Sequence, residues 1–306
     1  MNLNEDVIRF QAEHHPLEGT NRFESEEHYC LYLMHLKAYE QITVLARGKT
    51  VLDLGCNNGW GTQVISHEAQ RVVGVDVSQK AVDEARRLAV GGNVEFQRYD
   101  GKHLPFNDGV FDLVASCQVI EHIADYASYL GEIRRVLTKD GLAVFTTPNE
   151  RIRLDVGMKP WSPFHVHEFN AAELTSLLGG VGFIGVRVMG LFATPELYQI
   201  EFRRNQRARE NARRRASQWL PPYVELKAKF IDSVKLVLPG FIVKRLQTFV
   251  RTLSGKRDAT QAPLNQAQVA NLASFNRFST SDFFYKSEDL DVALDLMAIG
   301  HKLDLE

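Results

Sequence analysis

At 306 residues, with 44% hydrophobic and 24% charged side chains, the chain has the composition of a folded protein able to bury one large core. Met1–Phe10 lacks the apolar run of a secretory signal, no stretch of about 18 apolar residues suggests a membrane span, and Cys30, Cys56 and Cys117, odd in number and widely spaced in a chain this long, form no C-x-x-C metal motif and do not suggest a disulfide framework. The net charge of -2 hides an asymmetry, +11 over Glu201–Arg257 against -13 over the remainder, so two regions with different surroundings are expected in a chain whose default compartment is the cytoplasm.

In chain order, Ser25–Arg47 reads as a helix, with Leu31, Leu33, Met34, Leu36, Ile42 and Val44 approximating a stripe. Thr50–Leu54 follows as a buried strand, then a glycine-rich turn and a helix to about Ala69. Strands are expected at Arg71–Val75, Val94–Gln97, Phe111–Ser116, Leu142–Thr146 and Phe183–Leu191. Helices are expected at Gln79–Ala89, Tyr126–Leu137 and Asn170–Leu178, the last opening on a variant capping box of Asn170 and Glu173. Val292–His301 reads as a final strand returning to the sheet. This alternation predicts an α/β doubly wound, seven-stranded, mostly parallel Rossmann-like sheet. The expected division is an N-terminal helical cap (1–48), a core (49–191 plus 291–306) and a basic helical insertion or lid (192–290). Ligands of such sheets lie beyond the carboxyl ends of the strands, so functional residues should follow strands one to five.

The turn after the first strand reads Asp53-Leu-Gly55-Cys56-Asn57-Asn-Gly59-Trp-Gly61-Thr62. Glycine lets the backbone approach a ligand closely, and the next helix start supplies free N–H groups. A pyrophosphate site would use G-x-G-x-x-G; here the pattern is G-x-N-x-G, with an acid two positions before the first glycine. That acid opposes a pyrophosphate and suits a cationic ligand such as S-adenosylmethionine, with its ammonium and sulfonium groups. Asp76 ends the second strand, where a carboxylate can accept both ribose hydroxyls. Asp100-Gly101 follows the third strand, placed to meet an adenine amino group.

Together with Gln118-Val-Ile-Glu121-His122-Ile123 after strand four, these motifs make Thr50–Leu191 resemble the class I S-adenosylmethionine-dependent methyltransferases. The family usually has Gly where Asn57 stands, a mild departure because Asn also adopts left-handed conformations. The resemblance implies backbone contacts from Gly55 and Cys56, ribose binding by Asp76 beside Val77, adenine contact at Asp100 and Gly101, and methionine contact at Gln118. The Pro163–Phe169 stretch and Ser287–Asp291 loosely resemble bacterial glycan and secondary-metabolite enzymes, which favours O-methylation of a sugar, glycan or other small hydroxylated acceptor.

An alcohol acceptor needs its proton removed, and histidine is suited to that work. His122 lies on the ligand side; His165 and His167 would share one side of an extended segment. Each has an ordinary structural reading too, as a packed, capping or loop residue. The Glu121-His122 pair also resembles the quinone-biosynthesis O-methyltransferases, in which acidic residues and this His bind a divalent metal. Gln118 stands where they usually carry a further Glu, so the metal is left open, with Asp155 and Glu168 as substitute ligands. Ser116-Cys117-Gln118 lacks the Asn/Asp-Pro-Pro-aromatic motif of base amine methylation, and Cys117 has no preceding Pro to mark it as a pyrimidine-methylating nucleophile.

Arg203, Arg204, Arg207, Arg213, Arg214 and Arg215 offer phosphate contacts, and Phe230–Val250 mixes basic and apolar residues as an interfacial helix does. The 203–257 region therefore has four readings: a solvated helix face, a phosphate-bearing acceptor site, an anionic membrane surface or an RNA-binding surface. The alternatives to a small-molecule enzyme are an RNA methyltransferase and a non-catalytic cofactor-binding or membrane-associated module.

Overall fold

The computed structural model describes residues 23, 25–162, 164–217 and 277–302. Helix α1 (Glu26–Leu45) starts at Ser25, whose hydroxyl accepts the His28 N–H at 3.1 Å. Eight strands follow: β1 (Thr50–Leu54), β2 (Arg71–Asp76), β3 (Val94–Arg98), β4 (Phe111–Cys117), β5 (Leu137–Pro148), β6 (Phe183–Ala193), β7 (Phe283–Lys286) and β8 (Asp295–Lys302). Between them lie α2 (Trp60–Ser66), α3 (Gln79–Leu88), α4 (Tyr126–Val136), α5 (Glu150–Arg153), α6 (Ala171–Gly180) and α7 (Pro195–Ser217). Asn170 and Glu173 form the expected capping box of α6.

The strands form one sheet in the order β3-β2-β1-β4-β5-β8-β6-β7. The first five are mutually parallel, whereas β8 runs antiparallel between β5 and β6. The sheet thus carries one strand more than expected, because β7 pairs antiparallel with β6 at its edge. Phe283–Lys286 is too short and too close to polar neighbours to declare itself by alternation.

Strands β1 and β2 are apolar almost throughout because both faces are covered. On one face Leu52, Leu54, Val73, Val75 and Phe145 pack with Leu130 and Ile133 of α4 and Leu174 and Leu178 of α6. On the other, Val51, Val72, Leu113 and Val144 pack with Ala38, Tyr39 and Ile42 of α1 and Ile65 of α2. Each fully buried side chain of this size contributes about 1.5–3 kcal/mol. Strand order reverses between β1 and β4, and the crevice at their carboxyl ends is where ligands of such sheets bind. Because β8 is antiparallel, its first residue, Asp295, pairs with Pro148 at that same end.

The chain divides into two compact units, Met1–Arg209 with Phe275–Glu306, and Glu210–Ser274. The expected boundaries therefore shift. Helix α1 is an integral part of the first unit's core rather than a separate cap, since Ala38, Tyr39 and Ile42 cover one face of the sheet, whereas Val44 of the expected stripe is exposed. The segment 192–290 contributes the end of β6, the start of α7 and all of β7 to the first unit. The Pro221-Pro222 pair, the Phe230–Val250 stretch and most of the polar run 259–280 lie outside the described residues. Among the described residues no helix is long and apolar enough to cross a membrane.

Candidate active site

The turn between β1 and α2 is built by sterics. Gly55 has φ 84°, and a Cβ there would lie 2.5 Å from Val119 Cγ2 in the turn after β4. Gly59 has φ 81°, and its Cβ would meet the Phe96 ring at 2.5 Å. Asn57 takes the left-handed conformation (φ 48°) expected of an Asn standing in for Gly. The Gly55 and Cys56 amides both donate to Val75 O, at 2.8 and 3.0 Å, so the backbone contacts expected of these residues do not come from their N–H groups. β2 uses those amides to hold the turn.

Asp76 at the end of β2 is 5% exposed. One carboxylate oxygen accepts the Asn57 N–H at 3.0 Å and the other the Ser78 N–H at 2.8 Å. Each oxygen retains a lone pair for a ligand hydroxyl. Burial pushes the carboxyl above its ordinary range, against those hydrogen bonds. Asp53 is fully enclosed beneath the turn: Thr62 Oγ1 donates to it at 2.6 Å and Tyr39 Oη at 3.4 Å. Burial raises it to about 6, with the two hydroxyls opposing and Asp76 adding to the rise. Its influence on a ligand is therefore through charge rather than contact, a correction to the expectation of an acid pointing into the turn.

Asp100 is exposed and ties its own loop, accepting the Lys102 and His103 N–H groups at 2.8 and 2.7 Å. Gly101 (φ 86°) lies beside half-buried Val77, whose Cγ1 is 3.3 Å from where a Cβ would stand. Gln118, after β4, also takes a positive φ (57°) and donates from Nε2 to Asp295 at 2.7 Å. Burial drives the Cys56 and Cys117 thiols far above their usual range, which suits packing and not nucleophilic attack.

The histidines divide. The rings of His122 and His165 meet edge to face with centroids 4.8 Å apart. His122 Nδ1 lies 3.0 Å from Phe164 O, and His165 Nδ1 lies 2.7 Å from Glu168. A carbonyl and a carboxylate can only accept, so in each neutral ring the proton sits on Nδ1 and the lone pair on Nε2. His167 does not join them. Its side chain is 46% exposed and pairs with Glu173 at 3.3 Å, because residues 164–168 bend and form no strand, so they are not the extended segment that alternation required.

Glu168 is buried and clamped by Arg153 through two bonds of 2.8 and 3.1 Å. Burial alone would raise its carboxyl; His165 and Arg153 reverse this and hold it down at about 2. Asp295 behaves oppositely: burial and the nearby Glu121 carboxylate push it well above the ordinary range, with Arg153 and Gln118 opposing. Arg153 and Asp295 were not anticipated. Arg153 carries no motif, but Asp295, an acid opening an otherwise apolar strand, was a visible signal.

One ligating atom each of Glu121, His122 and His165 lie within 4.8 Å of one another. With their Nδ1 atoms bound to a carbonyl and a carboxylate, the two imidazoles have the supporting bonds that metal-binding histidines use, so this donor set fits a divalent ion. Asp155 and Glu168, the substitute ligands considered, are instead paired with Arg209 (3.7 Å) and Arg153.

Part of the basic run is also committed to internal pairs. Arg204 bonds buried Glu201 at 2.8 Å through Nε, and Arg207 bonds Glu27. Ion pairing within α7 and to α1 thus accounts for two of the six arginines expected to meet phosphate.

The methyltransferase domain family matches residues 52–145. A probable S-adenosylmethionine-dependent methyltransferase of Mycolicibacterium smegmatis is 35% identical over 185 residues, 58% of this chain and 68% of that protein. The chain belongs to the S-adenosylmethionine-dependent methyltransferases. This methyltransferase is also similar to a probable S-adenosylmethionine-dependent methyltransferase of Mycobacterium tuberculosis, 38% identical over 170 residues, which are 55% of this chain and 61% of that protein. The match thus spans about three fifths of that relative's length. Among solved structures, an S-adenosylmethionine dependent methyltransferase from Mesorhizobium loti is 20% identical, covers 56% of this chain and 93% of its own, and has a TM-score of 0.48. Membership implies S-adenosylmethionine as cofactor. The glycine cradle, the turn amides gathered on Asp76 and the buried acids of the first two strands fit a cationic nucleoside.

Proposed function

We propose that this methyltransferase transfers a methyl group to a hydroxyl of a small acceptor, a sugar or glycan among them, with a histidine as general base. The observation that carries the reading is the His122–His165 pair, two enclosed imidazoles whose Nδ1 atoms face acceptors, which in the neutral rings leaves the lone pair on Nε2. When bound, S-adenosylmethionine supplies a methyl group already activated by its sulfonium. The chain's own work is alignment and proton removal. Asp76 would hold the ribose, Asp100 would meet the adenine, Gln118 would meet the methionine portion and Asp53 would supply negative charge beneath the turn. Nε2 of His122 or His165 takes the acceptor's proton, and the Arg153–Glu168 pair fixes the orientation of His165. Proton removal by either imidazole requires no metal; an ion held by Glu121, His122 and His165 would instead lower the pKa of a bound hydroxyl.

Buried hydrogen-bonding groups support a hydroxyl-bearing acceptor. Tyr126 Oη, Trp161 Nε1 and Tyr285 Oη have no hydrogen-bond partner among the described residues. Each is electrostatically or directly associated with a charged residue of the site: Tyr126 with Glu121, Tyr285 with Asp295, and Trp161 with Arg153, whose guanidinium lies 4.2 Å from its ring centre. An acceptor oxygen that reached any one of them would satisfy it.

Labelled S-adenosylmethionine incubated with fractionated cell extract, followed by mass spectrometry, tests the reading. An O-methylated product lost in His122→Ala or His165→Ala supports it. Cofactor binding without transfer to any fraction would favour a non-catalytic module, and label in RNA at low salt would favour the nucleic-acid reading. Asp76→Ala should weaken cofactor binding by at least ~1 kcal/mol, from lost hydrogen bonds to a charged group. Unchanged affinity in calorimetry removes that assignment.

A further inference from the structure

Gln118 carries a Cβ yet occupies the left-handed region, a conformation that needs support from its surroundings. Its backbone N–H donates to Thr146 O at 2.9 Å, and its side-chain Nε2 reaches Asp295 Oδ2 at 2.7 Å and Thr146 Oγ1 at 3.4 Å. The next residue, Val119, fills the space that a Cβ on Gly55 would take. The turn after β4 therefore rests directly on the turn after β1.

Asp295 is 177 positions away in sequence and 5% exposed. It is fixed at the carboxyl end of the sheet by pairing with Pro148 of β5 and Leu191 of β6. An apolar residue would pack in that row at less cost, because Glu121 and Glu201 act on Asp295 unfavourably. The bond to Gln118 is a specific return for burying a carboxyl there.

We propose that Asp295 is a positioning residue for the cofactor end of the site: it anchors the Gln118 side chain, holds that residue in its left-handed conformation and so seats Val119 against Gly55. This rests on the reading that the Gly55 turn binds the S-adenosyl group. The last strand, outside the matched family segment, thereby sets the shape of a turn near the middle of the chain.

Calorimetry with S-adenosylhomocysteine on the full chain tests it. Asp295→Ala should weaken binding about tenfold, the loss expected for one hydrogen bond to a charged or strongly polarised group. Asp295→Asn should stay within about twofold of wild type, since its amide oxygen accepts the same bond. In the Gln118→Ala background, Asp295→Ala should cause no further loss. Wild-type affinity in a folded Asp295→Ala protein, or an equal loss with and without Gln118, overturns the proposal. Should Asp295→Ala not fold, Gln118→Ala and Asp295→Asn decide: unchanged affinity in the first, or a tenfold loss in the second, overturns it. A wild-type chain that does not bind S-adenosylhomocysteine sinks the cofactor reading along with this one, whereas these variant outcomes with intact wild-type binding sink only the role of Asp295.

Discussion

The two ends of the proposed site are built by different physics. The cofactor end, around Gly55, Gly59 and Asp76, is a backbone construction: left-handed turns, absent Cβ atoms and carboxylates tied to amides within 20 or so positions. The acceptor end, around Glu121, His165, Arg153 and Glu168, is a side-chain construction of buried charges from the turn after β4, from α5 and from the segment before α6. The first tolerates little change of shape, the second little change of charge. Substitutions that alter one property at a time separate them.

The largest effect is expected at the acceptor end. Arg153 and Glu168 have side-chain exposures of 7% and 0%, so Arg153→Ala strands a buried carboxylate with His165 as its remaining basic partner among the described residues. Losing one partner of a buried pair costs about 3–5 kcal/mol. Urea denaturation of Arg153→Ala should show a loss of that size, and a loss below about 1 kcal/mol would mean that the clamp does not set the stability of this region. The same change at the cofactor end, Asp76→Ala, removes an acceptor from backbone amides, Asn57 and Ser78 among them, and no buried charge is stranded, so it should act more on binding than on folding.

Shape rules the other end. Gly59→Ala adds a Cβ at φ 81° and 2.5 Å from the Phe96 ring. The left-handed conformation costs about 1–2 kcal/mol and overpacking about 1–3, so a combined loss of ~2–5 kcal/mol is expected in denaturation. Gly92, exposed and with no described atom within 4 Å of where a Cβ would stand, is the control and should change little on the same substitution.

What was legible in the sequence follows the same division. The Gly55–Gly59 turn, Asp76 and the alternating strands were readable because backbone-made sites need particular residues at fixed local spacing. The capping box of α6 was readable for the same reason. The Arg153–Glu168 clamp spans 15 positions from a short helix to the segment before α6, and Asp295 meets Gln118 across 177, so no local pattern announces either. His165 and His167 were paired by alternation, a rule for strands that fails in a segment that bends. The extra edge strand escaped because four residues are too few to establish a period.

Acidification should act oppositely on the two ends. Asp53 is raised to about 6 in the folded chain, above its ordinary 3.8, so the folded state binds more protons than the unfolded state between those values. Its effect is that stability falls as pH rises from about 4 to about 6 and then levels, by up to ~3 kcal/mol. Glu168, held at about 2 against an ordinary 4.5, contributes stability that is present above the unfolded value and lost as pH falls through about 2. Asp53→Asn should therefore shift the pH 7 minus pH 4 stability difference by about 1–3 kcal/mol in favour of pH 7. Wild-type cofactor affinity should rise with pH through about 6, as Asp53 becomes charged. An identical pH difference in wild type and Asp53→Asn would remove Asp53 as its source.

The smallest effect belongs to the histidine that the structure separates from the other two. His167 is half exposed, and its 3.3 Å pair with Glu173 lies on the surface, where such pairs contribute about 0–1 kcal/mol. Its ring also rests on Phe169, 4.7 Å between centroids, which a shorter side chain would partly uncover. His167→Gln keeps a hydrogen-bonding end and most of the covering atoms, so stability should change by less than about 0.5 kcal/mol, as is usual for surface positions. Methyl transfer measured with the same extract fraction should stay near wild type, whereas His122→Gln and His165→Gln should each lose most of it. If His167→Gln loses as much activity as the other two while its stability and cofactor affinity are unchanged, the acceptor end extends out to the surface at α6, and the division between an enclosed histidine pair and a peripheral third one is wrong.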